Sequence, residues 1–211
     1  MLLNLTTVAA SILSSVAPFN SQMTSMNYKV QDVTNFTTVN VEQTKDIALL
    51  NIEQPKEKRL ICNGCSEQEN ATLAHFQNHG ITDKNALATI MGNIRQESMF
   101  ISNICEGGQR TSYKGCTRGG YGLIQFTSSS RYDGLGNYAQ KTGGNPSSLE
   151  TQLGYIVTEP EWKDIEHKLK TPGKPISQYM KYAYRWLGWG IHGARTNYAH
   201  EYVNKLVYEN I

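Results

Sequence analysis

From Ser66 onward, helix start and stop signals come in regular order, and nothing else in the chain restricts its fold as strongly. Ser66-Glu67-Gln68-Glu69 reads as a capping box: the Ser side chain accepts a backbone N–H and Glu69 reaches back to the cap. The helix it opens carries Leu73, Phe76 and Gln77, and stops at Gly80 as a C′ residue. Thr82 caps a second helix, with Asp83 in the first turn where the helix dipole favours it. Leu87, Ile90, Met91 and Ile94 then recur at helical spacing. Two glycine-rich loops flank the run YGLIQFT (121–127), which reads as a short strand. Ser147 with Glu150 opens a third helix bearing Leu149, Leu153, Ile156 and Val157. Ser177 opens a fourth bearing Met180, Ala183, Trp186 and Leu187, and a last helix spans about 195–208. No internal repeat or low-complexity tract interrupts this order. The pattern predicts a mainly helical α+β domain over 61–211 with a small β lobe.

Residues 1–60 have a different character. They are rich in Asn, Thr, Gln and Val, with five acidic and five basic residues, and segments such as TNFTTVNVEQ alternate apolar and polar as an extended arm does. So polar an arm buries little of its own surface and is ordered by lying on a partner. Residues 1–18 are apolar or small and end near Ser15-Val16-Ala17, a signal-peptidase-like site, but no Lys or Arg precedes Lys29. Signal peptide and structural arm stand level on composition. The stretch is too polar to span a bilayer as a helix. A net charge of +2 argues against nucleic-acid binding through a large basic field.

Glu97 lies three residues after Ile94 and seven after Ile90, so the helical register places it on the apolar face. Loss of solvation there disfavours the charged carboxylate, the environment that a general acid near neutral pH needs. The competing expectation is a helix-end Glu that swings to solvent or pairs with Arg95 or Arg110.

The run NATLAHFQNHGITDKNALATIMGNIRQESMF, with its helix, glycine turn and helix ending in Gly92-Asn93-x-x-x-Glu97-Ser98, resembles the opening of the lysozyme domains of phage tail proteins. A second block, Gly120-Tyr121-Gly122-Leu123-Ile124-Gln125-Phe126-Thr127 with Arg131 shortly after, resembles that family's glycine–glutamine motif. The likeness covers about 68–208 and leaves the arm unexplained. It implies a lysozyme-like fold and cleavage of the β-1,4 bond between N-acetylmuramic acid and N-acetylglucosamine, with Glu97 protonating the leaving oxygen. In the second block, glycines let backbone approach a sugar closely, Gln125 offers donors and an acceptor to hydroxyl or acetamido groups, and Thr127 can hold a water. Tyr121, Gly122, Gln125 and Thr127 are therefore candidate substrate-lining residues, and Trp162 joins them as a ring for the sugar cleft. The alternative for each is packing. Glycosidases usually pair two carboxyl groups. Glu106, in the loop after the helix, is preferred over Asp133, which suits a turn with Gly134; a site with Glu97 alone stays open.

Cys105 and Cys116 flank the loop that holds Glu106, and Cys62 and Cys65 form a C-x-x-C. A zinc finger with His75 and His79 is excluded, since His75 would lie about 15 Å along the helix from Cys65 while zinc ligands converge to about 2 Å from one ion. Disulfides are favoured over a four-cysteine zinc site for an enzyme acting outside the cytoplasm, with three pairings open. No metal and no cofactor is called for. The resemblance implies bacterial peptidoglycan as the substrate, a place in the phage virion tail, and docking to other tail proteins through the arm. Two other readings stand beside it: a catalytically silent lysozyme-like tail protein, and a secreted bacterial lysozyme or lytic transglycosylase.

Overall fold

A computed structural model describes residues 58–117 and 119–210. The arm, the signal-like start and the TNFTTVNVEQ segment lie outside the described residues, except that 58–60 belong to the first strand. The elements run β1 (Lys58–Cys62), α1 (Glu67–Asn78), α2 (Lys84–Ser98), a 3-10 turn (Tyr113–Gly115), α3 (Ser129–Thr142), α4 (Leu149–Ile156), α5 (Pro160–Lys170), α6 (Ile176–Leu187), α7 (Arg195–Lys205) and β2 (Leu206–Asn210). This is the mainly helical α+β fold that the capping pattern predicts.

The local signals act largely as read. Both halves of the Ser66–Glu69 capping box form, and Gly80 follows α1 at φ 84°. Asp83, one residue later than expected, is the cap of α2; its Oδ1 accepts from Ala86 N–H at 2.9 Å and its Oδ2 from Gly173 N–H at 2.7 Å. Ser148 caps α4 in place of Ser147, whose hydroxyl instead accepts from Tyr113 N–H and Tyr121 Oη.

Three expectations fail. YGLIQFT is not a strand: after an isolated bridge from Tyr121 to Cys105 the chain turns, closed by Phe126 N–H on Tyr121 C=O at 2.9 Å. α3 and α5 were not foreseen. The last helix ends at Lys205, and 206–210 pair antiparallel with β1, Lys58 opposite Asn210 and Cys62 opposite Leu206.

α2 is the axis of the molecule. Every residue from Ala86 to Ile94 is buried, as expected of a helix covered on all sides. Its tightest neighbour is α7. A Cβ on Gly92 would stand 2.6 Å from Ala199 N and 2.9 Å from Arg195 C=O, so glycine is what lets the two backbones cross. On the far side, Trp162 fills the core between Phe76 and Trp186, each ring centroid 4.9 Å away. This burial sets the C-terminal end of α2 rigidly against the start of α7, and the candidate acid sits there.

Candidate active site

Three consecutive side chains at the end of α2 grip α7. Arg95 pairs with Glu201 at 2.5 Å and lies over the Tyr198 ring. Gln96 Oε1 accepts from Ala194 N–H at 2.7 Å and so supplies the cap that α7 lacks from its own side chains. Glu97 Oε1 accepts from the Arg195 guanidinium. The Arg195 side chain is almost fully buried, its Nη1 donates to Ile191 C=O at 2.8 Å and His192 C=O at 2.7 Å, and its plane lies 4.7 Å from the Trp189 ring centroid. Glu97 is thus held on one oxygen, and Oε2 has no hydrogen bond among the described residues. The carboxylate is mostly covered, with 15% of its side chain exposed. The register argument places it correctly on the inner face; its partner is Arg195, not Arg95 or Arg110. Arg195 was missed, although a cation at the first position of a helix, where the dipole favours anions, is itself a sign of a nearby carboxylate.

The next residue joins α2 to the glycine–glutamine block. Ser98 Oγ donates to Leu123 C=O at 2.8 Å, and Met99 and Phe100 then reverse the chain with φ of 52° and 62°. The block is anchored from beneath by Gln152, fully buried on α4, which accepts from Leu123 N–H and donates to Ser102 C=O and Pro146 C=O. Gly122 presses on this amide; a Cβ there would stand 2.3 Å from Gln152 Oε1. Gln125 sits in the left-handed region at φ 51°, its Nε2 donating to Gly122 C=O at 3.0 Å. Thr127 is exposed and donates to Gln125 C=O at 2.7 Å. Gly120 lies under Gln125 and Thr127, each within 3 Å of where its Cβ would be. Gly122, Gln125 and Thr127 therefore form one small structure tied to the end of α2.

Two candidates are corrected. The Tyr121 and Trp162 side chains are completely buried and have no face to offer a sugar. Tyr121 Oη is engaged with Thr111 C=O and Ser147 Oγ, and Trp162 is a core residue. Aromatic rings serve packing and sugar stacking alike, so residue type alone does not separate the two roles.

Glu106 is exposed on the loop closed by the Cys105–Cys116 disulfide. Its Oε2 accepts from Gly120 N–H at 3.0 Å while its own N–H donates to Gly120 C=O at 2.8 Å. A Cβ on Gly119 would stand 2.0 Å from that oxygen, so the glycine leaves room for the carboxylate to fold back. The other two cysteines, Cys62 and Cys65, also stand at disulfide distance, so the cysteines pair here as Cys62–Cys65 and Cys105–Cys116. Among the described residues the most buried carboxylate is elsewhere: Glu159, at the cap of α5, binds Arg131 through two bonds of 2.7 Å. Burial pushes its carboxyl up, against the opposing pull of Arg131. A groove of about 740 Å³ between Tyr113, Asp133 and Gln140 contains none of Glu97, Glu106, Gly122, Gln125 or Thr127.

Residues 67–206 match the family model described as phage tail lysozyme, and that span is most of the chain. The chain belongs to the phage tail lysozyme family. No curated protein matches it. In this lysozyme domain the Gly92–Ser98 run has a physical reading at four positions: Gly92 admits α7, Asn93 donates to Thr89 C=O one turn back along α2, Glu97 meets Arg195, and Ser98 binds the glycine block. Membership points to a lysozyme-like, peptidoglycan-related role in a phage tail. No helix among the described residues is long and apolar enough to cross a membrane.

Proposed function

We propose that the chain is a muramidase of the phage tail that cleaves the β-1,4 bond between N-acetylmuramic acid and N-acetylglucosamine and opens the wall locally during entry. Glu97 is the general acid, delivering a proton from Oε2 to the leaving glycosidic oxygen. The observation that carries this reading is a one-sided clamp: Arg195 fixes Oε1 and leaves Oε2 without a hydrogen bond among the described residues, while Ser98 ties the same helix end to Leu123 in the glycine–glutamine block. Gln125 and Thr127 contact the sugar; Gly122 shapes their backbone. Glu106 is the second carboxylate in this reading, its other oxygen free to act on water. The N-terminal arm, residues 1–60 in the sequence reading, docks the domain to other tail proteins.

One observation favours a second reading. A carboxylate already held by a buried guanidinium also suits a catalytically silent, structural tail component. A zymogram separates the two. Purified protein clears peptidoglycan if the first holds, Glu97→Gln abolishes clearing with little change in thermal stability, and wild-type inactivity assigns the structural role. Clearing by Glu106→Gln at the wild-type rate removes Glu106 from the mechanism. Muropeptides with 1,6-anhydro ends indicate transglycosylation in place of hydrolysis.

A further inference from the structure

The Glu97–Arg195 pair does not end at the guanidinium. Arg195 lies on the ring of Trp189, whose edge meets Tyr184 at a centroid distance of 5.2 Å and His192 at 5.8 Å. These rings wall a groove of about 430 Å³ on the outer face of α6, lined also by Ser177, Met180, Lys181 and Arg185. Ser177, Lys181, Tyr184 and Arg185 fall at helical spacing on one exposed stripe. Tyr184 is 54% exposed, too open for a ring that serves packing alone. The groove thus brings aromatic rings together with two exposed cations, and Trp189 in its wall reaches Glu97 through a single residue, Arg195. Acidic side chains are absent from its lining among the described residues.

We infer that this groove is a binding subsite for the peptide-bearing part of the glycan strand, with Trp189 and Tyr184 packing on a sugar face and Lys181 and Arg185 meeting carboxylates of the stem peptide. The inference rests on the muramidase reading for its choice of ligand. Charge complementarity and continuity with the Glu97 clamp select that occupant: a neutral glycan uses the rings but not the cations, whereas a peptide-substituted strand uses both. The domain accordingly discriminates between peptidoglycan and uncharged polymers of the same β-1,4 aminosugar backbone.

The test is binding, measured by calorimetry on full-length Glu97→Gln protein, in which the amide oxygen still accepts from Arg195. The two probes are soluble glycan fragments with stem peptides and β-1,4-linked N-acetylglucosamine oligomers of the same length, which carry no carboxylate. The peptide-bearing fragments are expected to bind more tightly. Lys181→Glu combined with Arg185→Glu weakens that binding by about tenfold, the combined size of two exposed ion pairs, and leaves binding of the uncharged oligomers unchanged. Tyr184→Ala weakens both. Equal affinity for the two probes, or a charge-reversed protein of unchanged melting temperature that binds both as before, overturns the proposal. Failure of the muramidase reading shows separately, as absence of clearing by the wild type in the zymogram, because binding does not require turnover.

Discussion

Arg195 is the residue on which the site turns. It is buried, its donors are shared between Glu97 and two carbonyls of the loop before α7, and its plane rests on Trp189. Removing it leaves a mostly covered carboxylate without a partner, so Arg195→Ala is expected to lose roughly 3 kcal/mol of stability. Arg195→Lys keeps the charge but not the planar fork that reaches three acceptors. Lysis by Arg195→Lys is expected to fall further than its stability, as read from clearing rates against denaturant midpoints. Gln125 makes the complementary case. A glutamine at φ 51° holds a conformation that glycine adopts freely, at a strain on the order of 1 kcal/mol. Gln125→Gly is therefore expected to keep the melting temperature within a few degrees while clearing falls at least tenfold. A purely structural glutamine gives unchanged clearing instead.

At the scale of elements, what the sequence reveals depends on whether the deciding contact is local. The capping box, the Gly80 stop and the inward register of Glu97 are all decided within a few residues, and all are legible. α3 escaped because Leu135 and Ala139 are its only buried residues and two glycines weaken its pattern. α5 escaped for a poorer reason: Pro160 at its start, with Trp162, Ile165 and Leu169 at helical spacing, is a readable signal. Residues 206–208 continue the helical spacing of α7 and yet form a strand, because β1, more than a hundred residues earlier, offers a ladder. Arg195 and Gln152 are non-local in the same way. Crossing geometry is equally invisible in composition. Gly92→Ala puts a methyl into the backbone of α7 and is expected to cost about 2 kcal/mol, or to prevent folding, by chemical denaturation. Reducing the Cys105–Cys116 bridge frees the loop bearing Glu106 and is expected to lower stability by about 2–4 kcal/mol.

Across the whole molecule the response to acid follows from a few groups. Burial, reinforced by His79, pushes His75 down to about 4, and its Nε2 is buried without a hydrogen bond of good geometry. Because the unfolded chain binds a proton near pH 6.5 and the native one only near 4, stability falls as pH drops through that window. Glu69 and Glu166 act in the same direction at lower pH. Burial raises each, but hydrogen bonds from Tyr202 and Ser66 for Glu69, and from Lys170 and Lys163 for Glu166, hold them below the usual range. Glu159, held above it by burial, opposes them. The melting temperature is expected to decline between pH 6.5 and 4, and His75→Gln to flatten that decline. An unaltered slope in the variant removes His75 as the cause.

The β1–β2 pair gives the domain a defined load path. Tension arriving through the residues before Lys58 enters along β1, where Lys58 faces Asn210, so the ladder opens from that end one rung at a time. Peeling is opposed first at Arg59, whose guanidinium donates to Asn78 Oδ1 at 3.0 Å, and then at Leu60, whose N–H and C=O are both clasped by the Gln77 side chain at 2.8 and 2.9 Å. The Cys62–Cys65 crosslink then lies between that stop and α1. If the proposed docking through the N-terminal arm holds, a pull along β1 yields at this ladder before it reaches the helix that carries Glu97.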